Sequence, residues 1–181
     1  IAPDGPKDSR EMVLERTADG STLAAWVEAG PEEKIGWRRI VSGQPQPIRT
    51  VALPEGSPTQ LTLAGERLFW VQMHDRIGRL HRVSFPESPP ETAHPLPFAE
   101  SVNAGQLAAA VDKNDTRWLA VQDWSGRRVG ISLWCGGGDD WARVWTETGS
   151  EGFAARPALA PTSEGVLLAW DVEADGDWWV E

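Results

Sequence analysis

Short apolar segments, each preceded by a polar turn, recur along the chain at intervals of about fifty residues. Four such segments share this pattern, and they occupy residues 17–27, 63–71, 112–121 and 161–171. Trp26 lies 44 residues before Trp70. Ala120, which takes the tryptophan position in the third copy, lies 50 residues after Trp70 and 50 before Trp170. A period of this size is typical of one four-stranded blade of a β-propeller.

The pattern within each unit predicts strands rather than helices. Residues 80–85 alternate with the period of two that a strand requires, and residues 141–146 lack the spacing of a helical face. The one candidate helix, residues 8–16, is interpreted as the innermost strand of the first unit. The predicted strands are 11–16, 21–28, 35–41, 48–53, 59–63, 66–73, 77–84, 92–98, 105–112, 117–124, 128–134, 141–148, 155–160, 165–172 and 177–181.

We therefore predict an all-β chain that forms a β-propeller or partial propeller, with about four blades of four antiparallel strands. Residues 1–181 are expected to form a single propeller-like domain. Its repeats are expected at residues 11–53, 59–98, 105–148 and 155–181, and the last blade is incomplete. Three completions stay open: residues 1–10 supply the missing strand, the chain is a fragment of a larger propeller, or a partner chain or oligomer closes it. An open array would leave sheet edges and an apolar face exposed.

Composition narrows the possible functions. The chain has 11 tryptophans, 4 phenylalanines and no tyrosine, and its formal net charge is −10. The negative charge argues against a nucleic-acid surface, and no segment approaches the ~20 apolar residues of a membrane-spanning helix. The single cysteine, Cys135, excludes an internal disulfide framework and is interpreted as a small apolar residue near a turn.

The last unit carries a resemblance to a known group of propellers. Residues 156–171 read Arg-Pro-Ala-Leu-Ala-Pro-Thr-Ser-Glu-Gly-Val-Leu-Leu-Ala-Trp-Asp. This resembles the blades of bacterial secreted propellers of the sialidase-like and TolB-like kind, in which a Pro-containing strand, a turn and an apolar strand ending in Ala-Trp follow one another. The resemblance implies a bacterial periplasmic or extracellular protein. The sialidase Asp-box, Ser-x-Asp-x-Gly-x-x-Trp, is absent, and the lack of tyrosine argues against sialidase activity.

Candidate ligand-binding residues lie in the loops that join the second and third strands of each unit. Propellers usually bind ligands on the face that these loops form, and here the loops 28–34, 74–76, 123–127 and 173–177 all carry carboxylates. The candidates are His74, Asp75, Arg76, Asp123, Trp124, Arg127, Asp175 and Asp177. Ordinary solvated loops would show the same polarity, and that interpretation stays open.

A cation site built from Asp75, Asp123, Asp175 and Asp177 is a sharper form of the same hypothesis, since hard cations bind several oxygens. Asp175 and Asp177 match the Asp-x-Asp start of a calcium loop, but the acidic residue that an EF-hand carries later in its loop is missing. Ca²⁺ is therefore the only cofactor considered, and no other is expected. Trp26, Trp70 and Trp170 are predicted to be core. Three further tryptophans flank loops and could stack on a sugar ring: Trp124, Trp141 and Trp178.

No catalytic constellation is evident. Cys135 has no base or orienting group near it in sequence, Ser125 lacks the Gly-x-Ser-x-Gly elbow, and the three histidines lack metal-ligand spacing. His81 is interpreted as a half-buried strand residue. The favoured function is a non-catalytic binding or scaffold module that presents acidic, Trp-containing loops to a protein or a carbohydrate. The alternatives are a glycoside hydrolase- or lyase-like enzyme that uses Asp75, Asp123 and Asp177, or a fragment of a larger surface protein.

Overall fold

The computed structural model describes residues 9–85, 93–125, 129–147, 152–175 and 177–181. Four antiparallel sheets follow one another along the described chain, and a short 3-10 turn at Ala99–Ser101 is the one helical element in it. The predicted all-β fold with four blade-like sheets is therefore confirmed. None of the described segments forms a helix of the length and hydropathy that a membrane crossing requires.

Each sheet is built from strands that are consecutive in the chain. Sheet 1 contains β1 (Ser9–Arg16), β2 (Thr22–Glu28), β3 (Lys34–Val41), β4 (Gln44–Pro45) and β5 (Arg49–Val51). Sheet 2 contains β6 (Ser57–Leu63), β7 (Arg67–His74), β8 (Ile77–Ser84) and β9 (His94–Pro95). Sheet 3 contains β10 (Ala104–Val111), β11 (Arg117–Asp123), β12 (Gly130–Gly137) and β13 (Asp140–Glu147). Sheet 4 contains β14 (Phe153–Pro161), β15 (Val166–Ala174) and β16 (Asp177–Val180).

The structure differs from the prediction in the outer strands of sheets 1 and 2. The strand expected at 48–53 is shortened to β5, and the two-residue strand β4 precedes it; both pair with β3. The strand expected at 92–98 is reduced to β9, and its first residue lies outside the described residues. Prolines explain both differences, because Pro47 and Pro97 have no backbone N–H to donate to a neighbouring strand. The interpretation of residues 8–16 as a strand is confirmed by β1, although residue 8 lies outside the described residues.

A β-bulge repeats in the first strand of every sheet. The pairing register shifts between residues 10 and 13, 59 and 62, 104 and 107, and 155 and 158. Glu11, Gln60 and Arg156 have positive φ at these bulges. A bulge leaves one residue unpaired and turns its side chain. The repeat therefore extends from the sequence to the backbone geometry.

The hydrophobic core consists of three clusters, one between each pair of neighbouring sheets. Trp70 is fully buried between sheets 1 and 2, and Trp170 packs against the cluster between sheets 3 and 4. Phe98 stacks on Trp134 at 3.8 Å between the ring centroids, and both belong to the cluster between sheets 2 and 3. Trp26 is also buried, but it lies on the side of sheet 1 that faces away from sheet 2.

Extensive packing joins the sheets in chain order within the described part of the chain. Ser9 and Arg10 belong to β1, so these two residues do not supply a strand to sheet 4; residues 1–8 lie outside the described residues.

Candidate ligand-binding face

The loops between the second and third strands lie at the same ends of the sheets as the connections between sheets; we call this side the loop face. Asn103, in the connection to sheet 3, accepts a hydrogen bond at Oδ1 from Gly78 N in sheet 2 (2.8 Å). Its carbonyl accepts a second from Trp124 N (2.8 Å). The carbonyl of Val129, immediately before β12 of sheet 3, accepts one from Ala154 N of sheet 4 (3.2 Å). These bonds hold the loop ends of three sheets together.

Two buried glutamines, Gln72 and Gln122, form hydrogen bonds that order the loop ends of the strands. Gln72 donates from Nε2 to the carbonyl of Pro54 (3.2 Å) and accepts at Oε1 from the indole of Trp70 (2.9 Å). Gln122 of sheet 3 makes the same two kinds of bond with different partners: it donates to Ala154 O at the start of β14 (2.7 Å) and accepts from the indole of Trp124 (3.0 Å). A buried amide that satisfies both neighbours orients them, so Trp124 is held with its polar edge inward.

Three aromatic side chains, Trp124, Phe153 and Trp178, form a continuous group on the loop face that we call the aromatic rim. Trp124 meets Phe153 edge to face at 5.4 Å, and Phe153 meets Trp178 at 6.3 Å between ring centroids. Trp124 is 45% exposed and Trp178 is 52% exposed. Large exposed indole faces that are held in place offer an apolar stacking surface.

A charged pair borders the aromatic rim. The guanidinium of Arg156 lies 5.2 Å from the ring centroid of Trp178, within the range of a cation–π contact. Its Nε pairs with the carboxylate of Asp171, and its backbone N–H donates to the side-chain carbonyl of Gln106 in sheet 3. Arg156 occupies the bulge of β14, so the repeated backbone irregularity directs this side chain. The Arg156 side chain remains mostly exposed.

The predicted residues of the second loop form a tight hairpin turn. Asp75 and Arg76 both have positive φ, as the two central residues of a type I′ turn require. His74 Nε2 lies 3.5 Å from Asp75 Oδ2, and both side chains are exposed. Their assignment as ligand-binding residues stays a prediction.

The predicted aspartates of the third and fourth loops have different surroundings. Asp123 Oδ1 accepts hydrogen bonds from Asn103 N (3.2 Å), Ser125 N (2.9 Å) and Ser125 Oγ (2.7 Å), so it holds the loop together. Asp175, with positive φ, and Asp177 are exposed on either side of the turn before β16. Arg127 lies outside the described residues. The described His, Cys, Asp and Glu side chains include no group of three placed to hold a metal ion, and the calcium hypothesis stays a prediction.

Trp141 does not share the exposure of Trp124 and Trp178. It contacts Phe69 and Phe98 and packs against the core between sheets 2 and 3, which makes it a structural residue. Sequence reasoning did not single out Phe153, Arg156 or Asp171. The only indication in the sequence was that the fourth repeat begins near Arg156. The three side chains lie close together because of the register of β14 against β15, which the sequence does not show.

The environments of His81 and Cys135 agree with their interpretation as structural residues. His81 is half-buried and stacks on Trp70 at 5.6 Å, and burial lowers the pKa of its imidazole. Cys135 is partly buried, and burial raises the pKa of its thiol. A neutral thiol is a weak nucleophile.

An open cleft of about 930 Å³ also lies on the loop face, at sheet 1. It is formed by the loop between β2 and β3, by β5, and by the connection to sheet 2; its charged lining residues are Glu32, Glu33, Lys34, Arg49 and Glu55. The acidic loop 28–34 therefore borders a concave surface, apart from the aromatic rim at sheets 3 and 4.

Solved structures with this fold were found, whereas no protein-family model and no curated sequence matches the chain. TolB from Acinetobacter baumannii has a TM-score of 0.61 at 12% identity, over 94% of this chain and 40% of that one. A protein of unknown function from Dyadobacter fermentans has a TM-score of 0.60 at 14% identity, over 94% of this chain and 59% of that one. An ulvan lyase of polysaccharide lyase family PL25, bound to a glucuronic acid–sulfated rhamnose unit, has a TM-score of 0.58 at 9% identity. The match covers 96% of this chain and 52% of that one.

These likenesses support the propeller fold and nothing finer. The chain spans 40–59% of the length of these three structures. They include a polysaccharide lyase, so binding and enzymatic roles both remain compatible with the fold.

Proposed function

We propose that this chain is a carbohydrate-binding propeller segment, and that the aromatic rim is the surface on which the sugar stacks. The observation that carries the proposal is the pair of exposed indoles, Trp124 and Trp178, joined through Phe153 on the loop face. The C–H face of a sugar ring is apolar and its hydroxyls are polar. An aromatic surface beside charged side chains such as Arg156 and Asp171 matches both.

The rigidity of the rim favours this function. Trp124 is held by its backbone bond to Asn103 and its indole bond to Gln122, both within the described structure. A surface that is already ordered loses little conformational entropy when it binds. A carbohydrate ligand would also suit the periplasmic or extracellular location that the sequence resemblance implies.

The test is calorimetric titration with a panel of soluble oligosaccharides, neutral and uronic acid-containing. Trp124→Ala and Trp178→Ala are each expected to weaken binding about ten-fold or more, equivalent to about 1.4 kcal/mol. Trp179→Ala is the matched control, because Trp179 is the next residue of β16, is 39% exposed, and points to the other side of the strand. Its affinity should stay within about two-fold of the unchanged chain.

A panel without any binding, or binding that neither substitution weakens, would remove the proposal and favour a protein ligand. Each incubation should also be examined for shortened polysaccharide. Cleavage would support the enzymatic alternative, and Asp→Asn substitutions at Asp75, Asp123 and Asp177 would then test those carboxylates.

A further inference from the structure

The end of the sheets opposite the loop face carries the turns between the first and second strands, and we call it the turn face. At this end three arginines point into the interface between sheets 2 and 3. Arg67 alternates along β7 with Phe69, which packs in that interface. Arg82 pairs with Phe69 across sheet 2 and therefore lies on the same side. Arg117 alternates along β11 with Leu119, which packs in the interface from sheet 3.

Arg67 and Arg117 meet because they occupy the same position of two successive repeats, three residues before the tryptophan position. Nη2 of Arg117 lies 3.9 Å from the point that a Cβ of Gly65 would occupy, in the turn before β7. The guanidinium of Arg117 therefore reaches across from sheet 3 to sheet 2. Burial lowers the pKa of Arg67, and the positive charges of Arg117 and Arg82 lower it further, so both cations lie close to it.

Two donor nitrogens of this arginine cluster have no acceptor. Nη1 of Arg67 and Nε of Arg117 are buried, and neither has a hydrogen-bond partner among the described residues. Arg82 bonds to Asp139, whereas Asp115 Oδ1 lies 3.7 Å from Arg117 Nη2, which is beyond hydrogen-bond distance. Both aspartates are largely exposed. Buried donors that stay unpaired are uncommon in proteins and indicate an acceptor from outside the chain.

The two other carboxylates near the arginine cluster bond elsewhere. Glu66 accepts a hydrogen bond from Arg39 (2.7 Å), and Glu15 accepts one from the backbone N–H of Gly65 (2.9 Å). Burial raises the pKa of Glu15, and its second carboxylate oxygen is buried without a partner in the described part of the chain. Neither carboxylate therefore satisfies the unpaired nitrogens of Arg67 and Arg117.

We propose that Arg67 and Arg117 bind a tetrahedral oxyanion, a phosphate or sulfate group, at the turn face between sheets 2 and 3. Arg82 adds positive charge to this site, while its own donors stay on Gly138 and Asp139. Guanidinium groups bind such anions through pairs of parallel hydrogen bonds. Donors that approach from two sheets match acceptors arranged as a tetrahedron better than the planar acceptors of a carboxylate. The inference goes beyond the proposed function and does not depend on it, because the aromatic rim lies at the opposite end of the sheets.

Isothermal titration calorimetry with inorganic phosphate and inorganic sulfate, at constant ionic strength, tests the proposal on the whole chain. Arg67→Gln and Arg117→Gln should each weaken binding about ten-fold or more, since each removes a charged donor. Arg79→Gln is the matched control, because it removes the same charge from a half-buried position of β8 near the loop face. Its affinity should stay within about two-fold of the unchanged chain. Circular dichroism verifies that each variant is folded.

NMR signals of the arginine Nε–H groups give a second measurement that needs no substitution. Phosphate should shift the signals of Arg67 and Arg117 in the unchanged chain and leave that of Arg79 in place. A chain that binds neither ion would overturn the proposal. Binding that neither Arg67→Gln nor Arg117→Gln weakens, or equal shifts at all three arginines, would overturn it as well.

Sugar esters distinguish a free ion from an oxyanion group on a larger ligand. Glucose 6-phosphate and glucose 6-sulfate present the same two groups on a sugar ring. Binding that is tighter than that of the inorganic ion, and is lost in Arg67→Gln, would support a group carried by a larger molecule. Equal or weaker binding of the esters would support the free ion as the ligand of this site.

Discussion

At the scale of single residues, two aspartates hold the turns that precede the central strands of sheets 1 and 3. Asp19 Oδ1 accepts hydrogen bonds from Ser21 N (2.9 Å) and Ser21 Oγ (2.7 Å), besides one from Thr17 Oγ1. Asp112 accepts from the backbone N–H of Asn114 and Thr116 and from the indole of Trp118 (3.0 Å). These bonds favour the ionised carboxylate and lower the pKa of both groups, with Thr17 the largest cause for Asp19 and Trp118 for Asp112.

Acid should therefore weaken the fold through these two turns. Because each folded-state pKa lies below the ordinary value of 3.8, the stabilisation is present above that pH and is lost as the pH falls through the folded-state pKa. We expect the urea midpoint to fall between about pH 5 and pH 2. The double variant Asp19→Asn, Asp112→Asn should be less stable at neutral pH and show a flatter pH profile. An unchanged profile, equal to that of the exposed control Glu55→Gln, would contradict the assignment.

The role of a residue could be predicted where the residue occupies a repeated position in the sequence. Trp70 was predicted to be core because an apolar strand with a tryptophan recurs, and it is fully buried. Trp124 and Trp141 were indistinguishable in sequence, since both flank loops. Their environments differ because Gln122 holds one at the surface while Phe98 packs the other into the core. Contacts between strands decide such cases, and the sequence of one strand does not contain them.

At the scale of elements, two buried glutamines tie the second strand of a sheet to another segment: Gln72 bonds to Pro54 in the connection before β6, and Gln122 bonds to Ala154 at the start of β14. Replacing either with leucine would leave an indole N–H and a backbone carbonyl without their partner. Each substitution is expected to cost about 1–3 kcal/mol of unfolding free energy. Urea denaturation measures this cost, with Gln46→Leu in the exposed segment after β4 as the control. A loss no greater than that of the control would argue against the tie.

The strands themselves were largely predictable, because alternation and turn residues are local signals. The outer strands were not, since β4, β5 and β9 depend on where prolines interrupt pairing with a neighbouring strand. The bulge that places Arg156 beside Trp178 was also beyond the sequence. It appears only once the register of β14 against β15 is known.

At the scale of the whole molecule, the period near fifty residues predicted four sheets in chain order, and this is what the structure has. The candidate site was predicted only in part. The loop face was anticipated from the topology of propeller loops, and Trp124 and Trp178 were among the candidates. The side chains that join across sheets 3 and 4 depend on how the sheets are inclined to each other, which a single sequence does not specify. The acidic loops contribute one structural aspartate, Asp123, and several exposed ones.

A row of sheets in which each packs only on its neighbours should be least stable at an uncovered end. In the middle of the row, the central residues of β7 and β11 are completely buried, whereas β15 is mostly half-buried and β16 is exposed. Amide hydrogen exchange should therefore be slowest in β7 and β11 and fastest in β15 and β16.

Mass spectrometry of exchanged peptides resolves the strands separately. Exchange of β15 as slow as that of β7 would contradict the row-like description, because the last sheet would then be as stable as a sheet packed on both sides.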